Sequence, residues 1–228
     1  MNSANPEGTQ TDNTLRLLAI CGIVAPILFI TMVITLGLLR PGYDPVTQFQ
    51  SELGATGTQN AIFMDINFVL VGILIVAFAL GLHRGISKGV GSKTGPALLA
   101  INGAFGGAQG IFPADPGEKV VSFSGNMHNL VGLISLIAFI LGLLVIARRL
   151  KNDPLWQDYR SYTRITGFVM LGVFVGGFLF LFLLPWHGLT QRLLFLIPAA
   201  WAEVMAIRLL RLSTTQVPLS RLQVSQQI

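Results

Sequence analysis

The side chains most able to do chemistry are two histidines and a few carboxylates from separate segments of the chain. His128 and His187, with Asp115 or Glu52, are the ligand types that hold catalytic Zn²⁺ and leave one position for an activated water. In that arrangement Arg192 would contact a phosphate or an oxyanion. Because the sequence has no HxxxH or HExxH pair, spacing adds no specificity to this zinc hypothesis.

The same residues also fit a metal-free acid–base hypothesis. The predicted catalytic set is Glu52, Asp115, His128, His187 and Ser51. The predicted ligand-binding set is Arg192, Gln191, Asp65 and Asn67. Simpler structural roles stand beside these. An aspartate before Pro116 and Gly117 often closes a turn, and His187 follows Trp186, an ordinary interfacial anchor.

Two charged residues lie where they need partners. Arg192 is at the start of a predicted helix, where the macrodipole disfavours a cation, so it is expected to pair with Glu52, Asp115 or a lipid phosphate. Glu203 falls inside the last apolar run. It is expected either to pair with a basic residue such as Arg84 or another polar group, or to form part of a proton path.

The chain that must position these residues has the composition of a membrane protein. Of its 228 residues, 52% are apolar and only 11% are charged, whereas soluble domains carry about a quarter charged residues. The formal net charge of +5 does not form a patch, because the basic residues fall in short clusters between apolar runs. That pattern is typical of topology signals and argues against a nucleic-acid partner.

Six apolar runs, each about 17 to 25 residues long, match the length of helix that crosses a bilayer. They are Leu15–Leu39, Ile62–Leu82, Pro96–Phe112, His128–Ala147, Ile165–Leu184 and Leu193–Leu210. The predicted fold class is therefore an all-α integral membrane protein, a bundle of about six transmembrane helices. Residues 1–14 are expected to form a polar cytoplasmic segment, 15–211 the transmembrane domain and 212–228 a cytoplasmic tail.

Basic residues predict the orientation of these spans. With the N-terminus inside, the inner segments hold twelve of the fifteen lysines and arginines, and the outer segments hold only Arg40, Lys119 and Arg192. This asymmetry predicts a multi-pass protein of the cytoplasmic membrane with both termini in the cytoplasm. Each outward-travelling run is followed by a proline (Pro41, Pro113 or Pro185), which marks its outer boundary.

Small residues predict close helix packing in two spans. The third contains two overlapping small-residue repeats at four-residue spacing within residues 103–110, and the fifth contains Gly172 and Gly176. Such faces let helices approach closely, within one chain or between copies in a homo-oligomer.

Several short motifs recur in order along the chain. Tyr43-Asp44-Pro45 leads to Ser51-Glu52-Leu53-Gly54, followed by Phe112-Pro113-Ala114-Asp115, His128 and Gln191-Arg192. With these motifs the chain resembles, over nearly its whole length, a widespread prokaryotic membrane-protein family known as a domain of unknown function (number nine hundred and ninety-eight). The resemblance implies a six-helix integral membrane protein and carries no activity.

Three classes of function fit these residues. The first is a lipid- or amphiphile-directed hydrolase or transferase, which uses an outer-facing pocket of Glu52, Asp65, Asp115, His128, His187 and Arg192. The second is a transporter of a small solute or proton, with a polar track of Asp65, Asn67, Asn102, Gln109 and Glu203. The third is a non-catalytic module that binds a lipid or a partner. The polar residues expected on the outer side of the membrane favour the hydrolase or transferase, because ionisable groups at membrane depth are costly and often functional.

Overall fold

The computed structural model describes residues 12–87, 93–118, 120–180 and 185–214, and among them it contains α-helices, short 3-10 helices and no strand. The six α-helices are α1 (Asn13–Leu39), α2 (Ala61–Gly85), α3 (Thr94–Ala108), α4 (Phe123–Leu150), α5 (Arg160–Phe180) and α6 (His187–Thr214). Each predicted apolar run therefore corresponds to one helix. The all-helical fold class is confirmed.

Four of these helices, α1, α2, α4 and α6, are long and apolar enough to cross a membrane. Helix α3 has only 15 residues, about 22 Å at an α-helical rise, which is short of a hydrocarbon core about 30 Å thick. Helix α3 ends at Ala108, four residues before Phe112, the predicted end of the third apolar run. Helix α5 has 21 residues and begins at Arg160 with a polar first turn.

Parts of the predicted termini and loops lie outside the described residues. These are most of the N-terminal segment 1–14, most of the tail 212–228, Lys88, Lys119 and the last residues of the fifth predicted span up to Leu184.

Capping side chains explain where two of the long helices begin. The Asp12 Oδ1 accepts a hydrogen bond from the Leu15 amide at 2.9 Å, and the Ser122 Oγ accepts one from the Gly125 amide at 2.9 Å. Both side chains satisfy an amide of the first turn that has no intrahelical partner. Helix α4 consequently begins at Phe123, five residues before His128, the predicted start of the fourth apolar run.

The helices pack in a ring. Each helix contacts the next along the chain, and α6 contacts α1 and closes the circle. At one end of the ring, which we call the loop end, lie residues 40–60, 109–118, 120–122 and 185–187. At the opposite end, which we call the basic end, lie residues 12–16, 84–87, 93–96, 147–164 and 208–214.

Glycines allow the closest helix contact in the ring, between α2 and α3. A Cβ added at Gly72 would lie 2.6 Å from both the Gly103 carbonyl oxygen and the Gly107 Cα. The predicted packing role of the third-span repeat is therefore confirmed. For α5 no such contact is found, because a Cβ at Gly172 or Gly176 would have no atom of the described residues within 4 Å. Contact of this face with another copy of the chain stays a prediction.

Side chains of the α4–α5 connection hold the basic end together. Arg149 is buried and donates to the backbone carbonyls of Ile86 and Ser87, just after α2. The Trp156 Nε1 donates to the Gly85 carbonyl at 2.7 Å, and Asp153 accepts from the Ser87 amide at 2.7 Å. The backbone carbonyls of Gly85, Ile86 and Ser87 at the end of α2 thus have hydrogen-bond donors within the protein.

We expect Gly72→Ala to lower the free energy of unfolding by about 1–3 kcal/mol, because the added methyl group overpacks the α2–α3 contact. Gly172→Ala is the matched control, since alanine there meets open space and is a better helix former. Thermal unfolding of the purified variants in one detergent measures both. Equal melting temperatures for the two variants would contradict the close α2–α3 packing.

Candidate functional site

A cavity of about 330 Å³ lies inside the helix ring. Its walls come from α1, α2, α3, α4, α6 and the 3-10 helix Gln50–Gly54, and no described residue of α5 contributes. Regular spacing identifies the walls: His128, Gly132, Ser135 and Phe139 on α4 repeat at the interval of one helix face, and Gln191, Phe195, Pro198 and Ala202 on α6 do the same. Each wall is about 16 Å long at an α-helical rise.

The polarity of the lining changes along the cavity. Polar side chains lie at the loop end: Ser51, Gln109, His128, Asn129 and Gln191. Deeper in the cavity, the Asn102 Nδ2 donates to the Ser135 Oγ at 2.8 Å, and that hydroxyl donates to the Asn102 carbonyl at 2.9 Å. The far end is aromatic, where Trp201 meets Phe78 and Phe139 edge to face. The cavity is therefore amphipathic along its length.

His128 is 4% exposed and is held from three directions. Its Nδ1 lies 2.8 Å from the Phe112 carbonyl oxygen and 3.3 Å from that of Gln109, so Nδ1 carries the proton. Its Nε2 lies 3.1 Å from the Gln109 amide nitrogen, which can only donate. His128 is thus a neutral imidazole with both nitrogens engaged, and its ring also packs edge-on against Phe68.

Gln191 connects α6 to the 3-10 helix that covers the cavity at the loop end. Its Oε1 accepts from the Gln50 amide at 2.7 Å, and its Nε2 donates to the Ser51 Oγ at 3.3 Å. All five residues of this 3-10 helix are buried. Ser51 is hydrogen-bonded to Gln191, and no described contact joins it to His128.

Arg192 does not pair with Glu52 or Asp115 in this structure, so the expectation of a carboxylate partner is wrong. Its guanidinium donates to the carbonyls of Pro45, Gln48 and Gly188 and, at 2.7 Å, to the Tyr43 hydroxyl. The first loop folds back on the start of α6, where the Val46 carbonyl also accepts from the Leu189 amide. This concentration of carbonyl oxygens provides the negative potential that the arginine needs.

Tyr43 joins the two arginines of the loop end. The Cζ atoms of Arg40 and Arg192 lie 5.7 and 5.6 Å from its ring centroid, within cation–π range. Its hydroxyl donates to the Phe49 carbonyl at 3.1 Å. Burial raises the pKa of Tyr43, so the phenol stays protonated and keeps this bond.

Glu52 has Arg40 as its partner. The Arg40 Nη2 lies 3.8 Å from the Glu52 Oε2, and the Arg40 Nη1 donates to the Glu52 carbonyl at 2.7 Å. Glu52 is 4% exposed and does not line the cavity. A buried carboxylate paired in this way contributes to holding the first loop in place.

Asp115 closes the α3–α4 loop. It accepts from the amides of Val121 and Ser122 at 2.8 and 2.9 Å. Hydrogen bonds from Ser122 and Val121 hold the pKa of Asp115 below its usual range, so the side chain is ionised at neutral pH. Its position beside the cap of α4 is the turn role described above.

The remaining predicted residues also lie away from the cavity. The His187 ring stacks on Phe49 with centroids 5.7 Å apart. Asn67 is 1% exposed, and its Nδ2 lies 3.9 Å from the Met64 sulfur. Asp65 on α2 is half-buried and Glu203 on α6 is partly buried. Of the nine predicted site residues, the cavity lining includes Ser51, His128 and Gln191.

The predicted zinc ligands do not come together. Among the described residues, no group of three or more histidine, cysteine, aspartate or glutamate side chains is arranged to hold a metal ion. The set of His128, His187 and Asp115 is not assembled, because Asp115 bonds the α3–α4 loop and His187 stacks on the first loop.

The predicted site residues did not include several lining residues, above all Asn129, Ser135 and Gln109, whose side chain lies beside His128. Ser135 could have been found by helical periodicity, because steps of four and three residues along α4 from His128 reach Gly132 and Ser135. Asn102 and Gly106 on α3 and Gln109, its C-cap residue, follow the same one-face spacing.

The helices and the amphipathic cavity define an α-helical membrane protein. The chain matches the family described as Protein of unknown function (DUF998) over residues 23–208. It belongs to that family, which confirms the resemblance drawn from its motifs. No curated protein and no solved structure matches the chain significantly.

We expect Arg192→Lys to lower the free energy of unfolding by about 1–3 kcal/mol, because a lysine ammonium group cannot make all the hydrogen bonds that the guanidinium donates to the first loop. Arg148→Lys is the control, since Arg148 is exposed at the basic end. Thermal unfolding in detergent measures both. An unchanged melting temperature for Arg192→Lys would contradict the assigned role of Arg192.

Proposed function

We propose that this protein binds an amphiphilic small molecule of the membrane inside the cavity. The polar group of the ligand lies at the loop end beside His128, Gln109 and Ser51, and the apolar part extends toward Trp201. The observation that carries the proposal is the polarity gradient of the lining, with polar side chains at one end and aromatic rings at the other. The volume of about 330 Å³ is that of a small ligand pocket.

The membrane is the source of the ligand because the lining reaches an exposed surface of α4. Helix α5 lies between α4 and α6 in the ring, but none of its described residues lines the cavity. The Phe139 and Trp201 rings meet at the deep end. Above the rings, Leu133 lines the cavity and is 43% exposed. A ligand would enter sideways from the bilayer at Leu133.

The hydrogen bonds of the site favour binding over acid–base chemistry. Both ring nitrogens of His128 are engaged, and Ser51 is bonded to Gln191. The transport alternative has less support, because its proposed track includes Asp65, Asn67 and Glu203, which do not line the cavity. We therefore favour the lipid- or amphiphile-binding module over the hydrolase, transferase and transporter.

We infer that the loop end faces away from the cytoplasm. Ten of the lysines and arginines lie at or near the basic end: Arg16, Arg84, Lys93, Arg148, Arg149, Lys151, Arg160, Arg164, Arg208 and Arg211. The described loop end has Arg40 and Arg192. Positive charge favours the cytoplasmic side, so the polar end of the cavity belongs to the outer half of the cell membrane and both termini to the cytoplasm.

Filling the cavity tests this function. Ala199 lines it, whereas its neighbour Ala200 is exposed on the outer face of α6. We expect Ala199→Phe to reduce labelling by a photoreactive long-chain alcohol, and by the matching fatty acid, about tenfold or more. The added ring occupies the space of the ligand, and a ligand bound beside it would be overpacked at a cost of about 1–3 kcal/mol. Ala200→Phe should label like the wild type.

The labelling is done on the purified protein in lipid nanodiscs, and peptide mass spectrometry locates the adducts. The proposal predicts adducts on lining residues of α4 and α6. Adducts confined to lipid-facing side chains, or equal labelling of the two variants, would contradict it.

A further inference from the structure

We infer that the cavity selects amphiphiles with an uncharged, hydrogen-bonding head group, such as a hydroxyl, ester or amide. This inference rests on the proposed function and specifies its ligand class. It comes from the charges of the lining: the cavity-lining residues within the described part of the chain include no aspartate, glutamate, lysine or arginine.

The charges near the loop end are committed to other partners. Arg40 is paired with Glu52, and Arg192 is bonded to the first loop and Tyr43. Asp115 is bonded to backbone amides of its own loop. An ionised head group in the cavity would meet no charged counter-ion among the lining side chains that the structure describes. Burying a charge without a counter-ion is far more costly than burying a hydrogen-bonded neutral group.

The polar side chains of the cavity retain both kinds of hydrogen-bonding capacity. Gln109 uses its amide nitrogen on His128, and its Oε1 has no bond within the described chain. The Ser51 hydroxyl accepts from Gln191 and keeps its own hydrogen. Asn129 lines the cavity and its amide makes no described hydrogen bond. A mixture of donors and acceptors suits a hydroxyl or an amide, which both give and take hydrogen bonds, whereas a carboxylate only accepts.

Ligands with one apolar chain and different head groups test this selection. Lauryl alcohol, monolaurin and laurate are added to the full-length protein in lipid nanodiscs above neutral pH, where laurate is ionised. Bound ligand is measured by native mass spectrometry. We expect the two neutral ligands to bind about tenfold or more tightly than laurate, because the site lacks a compensating cation.

A charge placed in the lining should change this preference. Asn129→Lys adds a cation at an exposed lining position. We expect it to strengthen laurate binding, so that the preference for the neutral ligands over laurate becomes smaller or reverses. Asn126→Lys is the matched control, since Asn126 is exposed in the first turn of α4 and does not line the cavity. Its preference should equal that of the wild type.

The outcomes separate this inference from the proposed function. Wild-type protein that binds laurate as tightly as the neutral ligands, or equal effects of the two lysine variants, would overturn the head-group selection and leave amphiphile binding intact. An unchanged preference in Asn129→Lys would overturn the placement of the head group beside Asn129. Absence of binding for all three ligands to folded protein would overturn the proposed function itself.

Discussion

Hydrocarbon offers no hydrogen bonds, and this constraint governs how the polar groups of the protein are arranged. At the basic end, Arg149 and Trp156 satisfy the carbonyls that follow α2. At the loop end, Arg192 and Gln191 satisfy the backbone of the first loop. These contacts hold both ends of the ring, and glycines bring α2 and α3 together. The helices α1, α2, α3, α4 and α6 enclose a space that their side chains do not fill.

Two prolines lie where that space forms. Pro26 of α1 and Pro198 of α6 are inside their helices and both line the cavity. A proline in a helix interior removes one backbone hydrogen bond and bends the helix. The cavity therefore lies beside two helix-interior positions at which a backbone hydrogen-bond donor is absent.

The helices were predictable because apolar runs of membrane length leave little choice of structure. Their boundaries were less predictable: Ser122 caps α4 and extends it to Phe123, whereas α3 ends at Ala108, before the apolar run does. The end of the bundle at which the site lies was also predictable, since Ser51, His128 and Gln191 do share one cavity. The hydrogen-bonding partners of the predicted site residues were not predictable. Arg192 takes backbone carbonyls because the first loop folds onto α6, and the course of that loop has no periodic signal in the sequence. His187 and Asp115, for the same reason, stabilise loops and do not reach His128.

The described lining carries no Asp, Glu, Lys or Arg side chain, which limits the ligands that the proposed site could hold. In the proposed complex, the neutral imidazole of His128 and the amides of Gln109 and Gln191 would orient an uncharged polar group. The aromatic rings of Trp201 and Phe139 would limit how far an apolar chain extends. These features fit recognition of a membrane amphiphile, and the family membership is compatible with that role.

The most direct test is a high-resolution structure of the protein purified from membranes into lipid nanodiscs. The account predicts elongated density in the cavity, with its polar end within hydrogen-bonding distance of Gln109 or Ser51 and its apolar end near Trp201. A cavity that holds only ordered water, or a ligand with its polar group against Trp201, would contradict it.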